Sequence, residues 1–312
     1  MLDIGHCPAS IAPLEAVGDV TTVPPDADAL KRLLPEFDAY LATLFVRVTR
    51  DLLDAAERLK AIGTPSTGTD HIDVDYARKR GVAVLSLKGE TAFLEGVTST
   101  AEMAWALLLA AVRKIPWSFE AAKHGDWARD RFRGHQLKGK TLGILGYGRL
   151  GKMVARYGVV FGMRVIACDI LDIPPEEGVE PMDFDTLVRE SDVLSIHVPL
   201  NDDTRGLIDG GVFSRMKKGA CLVNTSRGAV IDEGAFLDVL ESGRLGCAGI
   251  DVIHGEWSES IADHPLIRYS KSHDNLVISP HTGGVTFEAQ AAAIEFTAGK
   301  LADYLKSVDR DR

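Results

Sequence analysis

The sequence predicts an α/β protein built on doubly wound parallel sheets. Three observations support this prediction. Short apolar runs alternate with amphipathic stretches, the runs are continuous rather than alternating in polarity, and the stretches repeat apolar residues at steps of three and four. Continuous runs rich in Val and Ile are typical of strands buried on both faces. Strand, helix and strand in repetition indicate a doubly wound sheet.

The elements follow in chain order. In the first hundred residues the predicted strands are Thr43–Val48, Leu59–Ile62 and Val82–Leu85, with a helix over Asp51–Leu59. A long helix is predicted over Ser99–Arg113, with Ser99 and Thr100 capping its start. Six apolar runs in the second half predict strands: Thr141–Leu145, Arg164–Cys168, Val193–Val198, Cys221–Asn224, Gly249–Val252 and Leu276–Ser279. Further helices are predicted from Leu150 to Phe161, over Asp232–Leu240 and over Thr286–Leu305.

The composition limits the class of protein. The chain has 312 residues, 46% of them hydrophobic and 26% charged, which is enough apolar side chain for one large or two ordinary folded domains. Its formal net charge of −10 disfavours nucleic acid and anionic membranes as partners, because both are polyanions. The first ten residues predict no signal peptide, and no apolar run is long enough to span a membrane.

The four cysteines predict neither a disulfide framework nor a metal site. Cys7, Cys168, Cys221 and Cys247 form no C-x-x-C pair, and the last three lie among apolar residues. We therefore expect small core residues in a reducing compartment, and a cytoplasmic protein.

A glycine-rich loop predicts a dinucleotide site. The motif G-x-G-x-x-G is formed by Gly146, Gly148 and Gly151, directly after a predicted strand and before a predicted helix. The first glycine makes the tight turn, the second lets a pyrophosphate approach the backbone, and the third lets the helix pack on the strand. The helix N-terminus, with Arg149 and Leu150, then supplies N–H groups and partial positive charge. Alone, this motif is a weak signal.

An acidic residue at the end of the next strand strengthens the prediction. Asp169 is placed where a carboxylate accepts hydrogen bonds from the adenosine ribose. The residues that follow, Ile170–Asp172, offer no cation for a 2′-phosphate. We therefore expect NAD rather than NADP.

Three reactive side chains follow predicted strands, at the edge of the sheet where ligands bind. Arg227 follows one strand, Glu256 the next and His281 the last. A histidine exchanges protons near neutral pH, a carboxylate holds its ring, and an arginine binds a carboxylate bidentately. Each also has an ordinary structural interpretation: a turn residue, a solvated loop acid or a surface ion pair. Together they favour hydride transfer coupled to proton transfer on a 2-oxo acid.

Several motifs in the same order and spacing resemble the D-isomer-specific 2-hydroxyacid dehydrogenase family. They are STGTDHIDVDYARKRGVAV, LKGKTLGILGYGRLG, IHVPL, MKKGACLVNTSRGAVIDEGAFLDVLESGRLGCAGIDV and SPHTGG. The resemblance implies two Rossmann-like domains with the active site in the cleft between them. Residues 1–98 and 285–312 would bind substrate and residues 99–284 would bind NAD. It also implies a homodimer built around the long helix.

The resemblance further assigns roles to residues of this chain. Arg227 would bind the substrate carboxylate, and His281, paired with Glu256, would be the general acid and base. Asp251 would hold the nicotinamide carboxamide, and the backbone at Thr67 and Gly68 would complete the carboxylate site. The other cofactor-lining residues would be His197, Val198, Pro199, Thr204, Thr225, Ser226 and Gly283.

Two departures from the family bear on the substrate. Trp257 follows Glu256 where the family usually has proline, and the loop of Lys88 differs from the family's commoner sequence. The ammonium of Lys88 favours a substrate with an anionic tail, unless the side chain simply points into water and pairs with Glu90.

The expected function is transfer of a hydride between NAD(H) and a small 2-hydroxy or 2-oxo acid. Two alternatives stay open at this point. The same scaffold serves other small donors, as in phosphite dehydrogenases, and it also serves NAD-sensing corepressors. Formate enzymes resemble this family but carry glutamine at the position of Glu256, which argues against formate.

Overall fold

The computed structural model describes residues 8–23, 26–258 and 260–310. Cys7 lies outside the described residues. The chain divides into two compact units. The first takes in the described residues up to Val97 together with those from Val285 onwards, and the second is Thr98–Gly284. Within the described part of the chain, no helix is long and apolar enough to cross a membrane.

The first unit contains a three-stranded parallel sheet. Its strands are adjacent in the order β1 (Ala39–Leu41), β2 (Ala61–Gly63) and β3 (Ala83–Leu85). Gly63 at the end of β2 lies close against α13, since a Cβ there would lie 2.2 Å from Cδ1 of Leu301. The helices of this unit are α1 (Ala12–Glu15), α2 (Ala27–Leu33), α3 (Arg50–Ala55), α4 (Val74–Lys79), α5 (Thr91–Leu94) and α13 (Phe287–Arg310).

The strand prediction over Thr43–Val48 is wrong. The first strand is β1, and the predicted segment is irregular apart from one parallel bridge between Val48 and Ile72. The hydroxyl of Thr43 accepts a hydrogen bond from the N–H of Phe45, and so bends the backbone away from an extended path. Val46 and Val48 are buried all the same, because a loop can pack apolar side chains into a core without ladder bonds.

The second unit contains a seven-stranded sheet in which all neighbours are parallel. The order is β10-β9-β8-β7-β4-β5-β6, so the chain adds β5 and β6 on one side of β4 and then returns to add β7 to β10 on the other side. Such a reversal is the switch point at which doubly wound sheets bind ligands. The strands are β4 (Thr141–Leu145), β5 (Arg164–Cys168), β6 (Val179–Pro181), β7 (Val193–Ile196), β8 (Cys221–Asn224), β9 (Cys247–Ile250) and β10 (Leu276–Ile278).

The helices of the second unit cover both faces of this sheet. They are α6 (Ser99–Val112), α7 (Ile115–Lys123), α8 (Arg149–Val160), α9 (Phe184–Glu190), α10 (Gly210–Arg215), α11 (Glu233–Glu241) and α12 (Pro265–Ser270). Helix α6 packs closely on the sheet at Gly249. A Cβ at this position would lie 2.8 Å from the carbonyl oxygen of Leu107 in the helix, which leaves room only for glycine.

The predicted cap of α6 is wrong. Ser99 is the first helical residue, and no side chain caps the helix. Thr98 occupies the N-cap position, but its backbone is already right-handed helical, and its hydroxyl donates to Oε1 of Glu102 at 2.5 Å. The hydroxyl of Ser99 is buried and has no hydrogen-bond partner in the described part of the chain.

Of the described cysteines, Cys221 is buried, Cys168 and Cys247 are partly buried, and all three carry free thiols. No cluster of three or more metal-ligating side chains occurs among the residues that the structure describes.

Candidate active site

The glycine loop lies at the switch point of the seven-stranded sheet. Gly146 directly follows β4 and has φ +92°, a conformation that L side chains rarely adopt. A Cβ on Gly146 would lie 2.8 Å from backbone atoms of His197 and Val198, which leave the neighbouring strand β7. A Cβ on Gly151 would lie 2.1 Å from the carbonyl oxygen of Gly146. The first and third glycines are therefore required by the fold itself.

The second glycine has a different environment. Gly148 is the N-cap of α8, and no heavy atom of the described residues lies within 4 Å of the place where its Cβ would be. This open space is where the motif requires a phosphate to approach the backbone. Arg149 follows at the first helical position and Leu150 at the second, both partly buried, and burial lowers the pKa of Arg149.

Asp169 follows β5 and holds the glycine loop. Its Oδ2 accepts a hydrogen bond of 2.6 Å from the N–H of Tyr147, and its Oδ1 accepts one of 3.0 Å from the N–H of Leu171. The motif did not predict the part that Tyr147 plays in this hydrogen-bonded loop. The hydroxyl of Tyr147 donates to Glu176 at 2.6 Å, which holds the pKa of Glu176 below its usual range. Burial, together with this hydrogen bond, raises the pKa of Tyr147.

Two buried polar atoms near the ends of β7 and β8 have no hydrogen-bond partner among the residues that the structure describes. They are Nδ1 of His197 and Oγ1 of Thr225. Burial lowers the pKa of His197 to about 4, so its ring is neutral near pH 7, with Nε2 bonded to the hydroxyl of Ser195 at 2.8 Å. A bound ligand with polar groups could satisfy both atoms.

Thr204 has its polar groups engaged within its own turn. Its hydroxyl donates to the carbonyl oxygen of Pro199 at 2.6 Å and accepts from the N–H of Asn201 at 2.9 Å. Thr204 therefore shapes the segment that follows β7, including Val198 and Pro199, which were predicted to line the cofactor.

A turn built on Asn224 positions Arg227. Oδ1 of Asn224 accepts from both the N–H and the hydroxyl of Ser226, at 2.9 and 2.8 Å, and its Nδ2 donates to the carbonyl oxygen of Arg227 at 2.9 Å. An asparagine that bonds the backbone two residues onward is a recognised turn former, so the sequence carried a signal for this residue. Nη1 of Arg227 donates to the carbonyl oxygen of Ser226.

His281 and Glu256 are in direct contact. Nδ1 of His281 lies 2.6 Å from Oε1 of Glu256, and both side chains are about four-fifths buried, with 20% and 18% exposed. Because a neutral histidine donates from only one ring nitrogen, the carboxylate favours the tautomer with its proton on Nδ1. Nε2 is then the unprotonated ring nitrogen, which can accept a hydrogen bond.

Asp251 organises the loop that carries His281. The carboxylate is buried and accepts from the hydroxyl of Ser279 and from the N–H groups of Thr282 and Gly283, at 2.5, 2.9 and 2.7 Å. The carbonyl oxygen of Asp251 accepts from the N–H of His281 at 2.8 Å, and His281 has φ +54°. A strained backbone of this kind persists where surrounding bonds enforce it, which is common at functional sites.

The strand order brings the three reactive residues to one edge of the sheet. Arg227 follows β8, Glu256 follows β9 and His281 follows β10, and these strands are adjacent and parallel. Gly228 lets the first two loops touch, since a Cβ there would lie 2.2 Å from the backbone of Ile253.

The remaining predicted residues belong to the first unit. Thr67 and Gly68 follow the middle strand β2, where the carbonyl oxygen of Gly68 accepts from the hydroxyl of Ser66. Lys88 follows β3 and is exposed. In the alternative interpretation Lys88 points into water and pairs with Glu90, and that pairing is wrong, because Glu90 forms an ion pair with Lys300 of α13.

Comparisons with known proteins agree with this arrangement. Residues 105–283 match the model of the D-isomer specific 2-hydroxyacid dehydrogenase NAD binding domain. The chain is 38% identical to hydroxypyruvate reductase of Thermotoga maritima, over 87% of this chain and 86% of the relative. It is also 38% identical to D-3-phosphoglycerate dehydrogenase of Archaeoglobus fulgidus, over 84% of this chain but only about half of that relative (48%).

Solved structures show the same likeness. D-lactate dehydrogenase from Aquifex aeolicus, in complex with NAD and lactic acid, matches with a TM-score of 0.80 and 28% identity over 98% of this chain and 94% of the other. The pyruvate reductase of Chlamydomonas reinhardtii matches with a TM-score of 0.85 and 27% identity over 97% and 93%.

The fold and the site thus define an oxidoreductase that acts on CH–OH groups with NAD as its cofactor. This chain belongs to the D-isomer-specific 2-hydroxyacid dehydrogenase family. The residues present fit NAD: open space at Gly148, a carboxylate after β5, and two unpartnered buried polar atoms at the ends of β7 and β8.

Proposed function

We propose that this protein interconverts a small 2-oxo acid and the corresponding 2-hydroxy acid. The observation that carries the proposal is the 2.6 Å contact between His281 and Glu256, which follow the adjacent strands β10 and β9. A histidine paired with a carboxylate can deliver and remove a proton near neutral pH, which a structural turn residue has no need to do.

The proton transfer falls to His281. In reduction, the protonated ring donates from Nε2 to the carbonyl oxygen as it becomes a hydroxyl, and in oxidation the neutral ring removes that proton. Glu256 holds Nδ1 and stabilises the charged imidazolium. Bound NAD(H) supplies the hydride acceptor or donor.

Arg227 is proposed to bind the substrate carboxylate. Its guanidinium offers donors in a planar fork that suits a carboxylate, and the Asn224 turn fixes its backbone. The family resemblance adds the backbone at Thr67 and Gly68 to the same role. These two residues are a proposal from sequence alone.

Several residues are proposed to line the cofactor. Asp251 would hold the nicotinamide carboxamide, since a carboxylate oxygen can accept a further bond beside those from its own loop. Arg149 would face the phosphates from the start of α8 and Asp169 would take the ribose. The remaining proposed residues are Gly146, Gly148, Leu150, Gly151, His197, Val198, Pro199, Thr204, Thr225, Ser226 and Gly283.

An anionic substrate tail is the finer form of the proposal. Its support is the exposed ammonium of Lys88, in a loop after β3 that departs from the family's usual sequence. Relatives named for hydroxypyruvate, glyoxylate and D-3-phosphoglycerate match this chain at similar identities of 38%, so identity does not choose among these substrates.

We also propose a homodimer formed around α6 and α7. Ile115 and Phe119 on α7 expose 49% and 63% of their surface, although both are large apolar side chains. Exposed apolar residues grouped on one helix are typical of a surface that is covered in an assembly. Sedimentation of the purified chain would give twice the monomer mass, and Phe119→Glu would shift it towards monomer.

Turnover of a panel of acids with NADH tests the main proposal. The panel is glyoxylate, pyruvate, hydroxypyruvate and 3-phosphohydroxypyruvate, with phosphite and NAD as a separate arm. Consumption of NADH with any of the four acids is the expected result. Turnover of phosphite alone would assign the phosphite-type alternative, and NADH binding without any turnover would favour the corepressor-like one.

A further inference from the structure

His281 is restrained at one atom and at one face of its ring. Glu256 holds Nδ1, and the indole of Trp257 stacks on the imidazole with ring centroids 6.0 Å apart and an angle of 29° between the planes. That separation is within the range of favourable aromatic stacking. We propose that Trp257 is a positioning residue for His281, which holds the imidazole in the plane that presents Nε2 to the substrate.

The hydrogen bond alone leaves the ring free to turn. The torsion that rotates a histidine ring has broad wells, and one hydrogen bond fixes one atom rather than a plane. The bonds from Asp251 fix the backbone of His281, but they do not reach its ring. A flat neighbour against the face supplies the missing restraint. Trp257 directly follows Glu256, so a single loop provides both contacts.

The exposure of Trp257 points the same way. The residue is 46% exposed, so it is not there to fill the core. Leaving a large apolar side chain in water is unfavourable by roughly 25 cal/mol for each Å² that burial would have removed. The same exposure makes Trp257 a good test position, because its removal leaves no internal cavity and the variants should fold.

This inference rests on the proposed role of His281 as the proton donor. The kinetic test compares Trp257→Leu, which removes the flat ring, with Trp257→Phe, which keeps one. Trp127→Leu is the matched control, because Trp127 lies in the same unit and is 81% exposed. We expect Trp257→Leu to lower kcat about tenfold or more while KM changes less than about twofold, since misorientation slows the chemical step without removing a binding group.

Trp257→Phe should recover at least half of the wild-type kcat, and Trp127→Leu should match the wild type. Equal kcat in Trp257→Leu and the wild type would overturn the inference, as would a loss that Trp257→Phe does not restore. Thermal melting of each variant checks that it is folded.

A measurement that needs no turnover separates this inference from the proposed function. In protein labelled with ¹³C at histidine Cε1, relaxation of the His281 signal reports the mobility of its ring, and His281→Ala assigns the signal. Trp257→Leu should increase this mobility and Trp257→Phe should not. An unchanged ring in Trp257→Leu would contradict the positioning role, whether or not the enzyme turns over the acids tested.

Discussion

Gly148→Ala and Gly151→Ala each add one methyl group to the glycine loop, and we expect the first to weaken NADH binding and the second to lower the melting temperature. At Gly151 the added Cβ would lie 2.1 Å from the carbonyl oxygen of Gly146 and 3.0 Å from Cγ2 of Ile144. The first atom belongs to a backbone fixed by the turn after β4, so it cannot swing aside as a side chain could. At Gly148 the space is open, and φ is −77°, which any residue can adopt.

The expected magnitudes follow from these distances. Overpacking typically costs about 1–3 kcal/mol, and in a unit of this size each kcal/mol lowers Tm by roughly 2–4 °C. Gly151→Ala should therefore lower the melting temperature of the second unit by several degrees. Gly148→Ala should melt near the wild type, because a slightly poorer N-cap and a stiffer unfolded chain offset each other.

For NADH affinity we expect the larger effect at Gly148, whereas for melting temperature it is at Gly151. The Cβ of Gly148→Ala occupies the space that a phosphate needs, so we expect the Kd for NADH to rise at least about tenfold, or about 1.4 kcal/mol. Calorimetric melting and fluorescence titration with NADH measure the two quantities. Wild-type NADH affinity in a folded Gly148→Ala variant would refute the assignment of this loop to the phosphates.

Three further outcomes are expected. Asp169→Ala should narrow a preference for NADH over NADPH measured as kcat/KM, because a carboxylate repels a 2′-phosphate. Lys88→Met should raise KM for 3-phosphohydroxypyruvate and hardly change it for pyruvate. Equal effects on the two KM values would mean that Lys88 does not bind the substrate tail. The pKa of His197, about 4 in the fold against 6.5 for an ordinary histidine, implies stability that is present above pH 6.5 and is lost as pH falls towards 4. Denaturant titrations between pH 6.5 and pH 4 should show that the free energy of unfolding falls less steeply in His197→Gln than in the wild type.

The seven-stranded sheet could be predicted because its strands are continuous apolar runs. β4, β5 and β8 have the predicted bounds, whereas β7 ends at Ile196, two residues early, because Pro199 has no N–H to continue the ladder. β6 was missed. Only the first of its three residues, Val179, is buried, and the other two are Glu180 and Pro181, which give no apolar pattern.

The first unit was harder to predict for the same physical reason. Its strands have three residues each, too few to show a period, and the buried residues of the irregular segment Thr43–Val48 mimic one. A hydrophobic pattern indicates which residues are buried, but it does not indicate whether a strand or a loop buries them.

Some contacts of the candidate site could be predicted from the sequence and others could not. The contact between His281 and Glu256 was expected, since both follow strands of one parallel sheet and the family resemblance pairs them. The bond from Tyr147 to Asp169 and the stack of Trp257 on His281 were not. Both depend on the path of a loop after its strand ends, which neither spacing nor composition specifies.

The central claim is that His281 carries the proton, and His281→Ala tests it most directly. With an acid that the wild type reduces, the variant should lose about 10²–10⁴-fold in kcat, the usual contribution of a positioned acid or base. NADH binding, measured by fluorescence titration on the same sample, should persist because His281 is not among the residues assigned to the cofactor. A variant that binds NADH normally and keeps more than a third of the wild-type kcat would contradict the account.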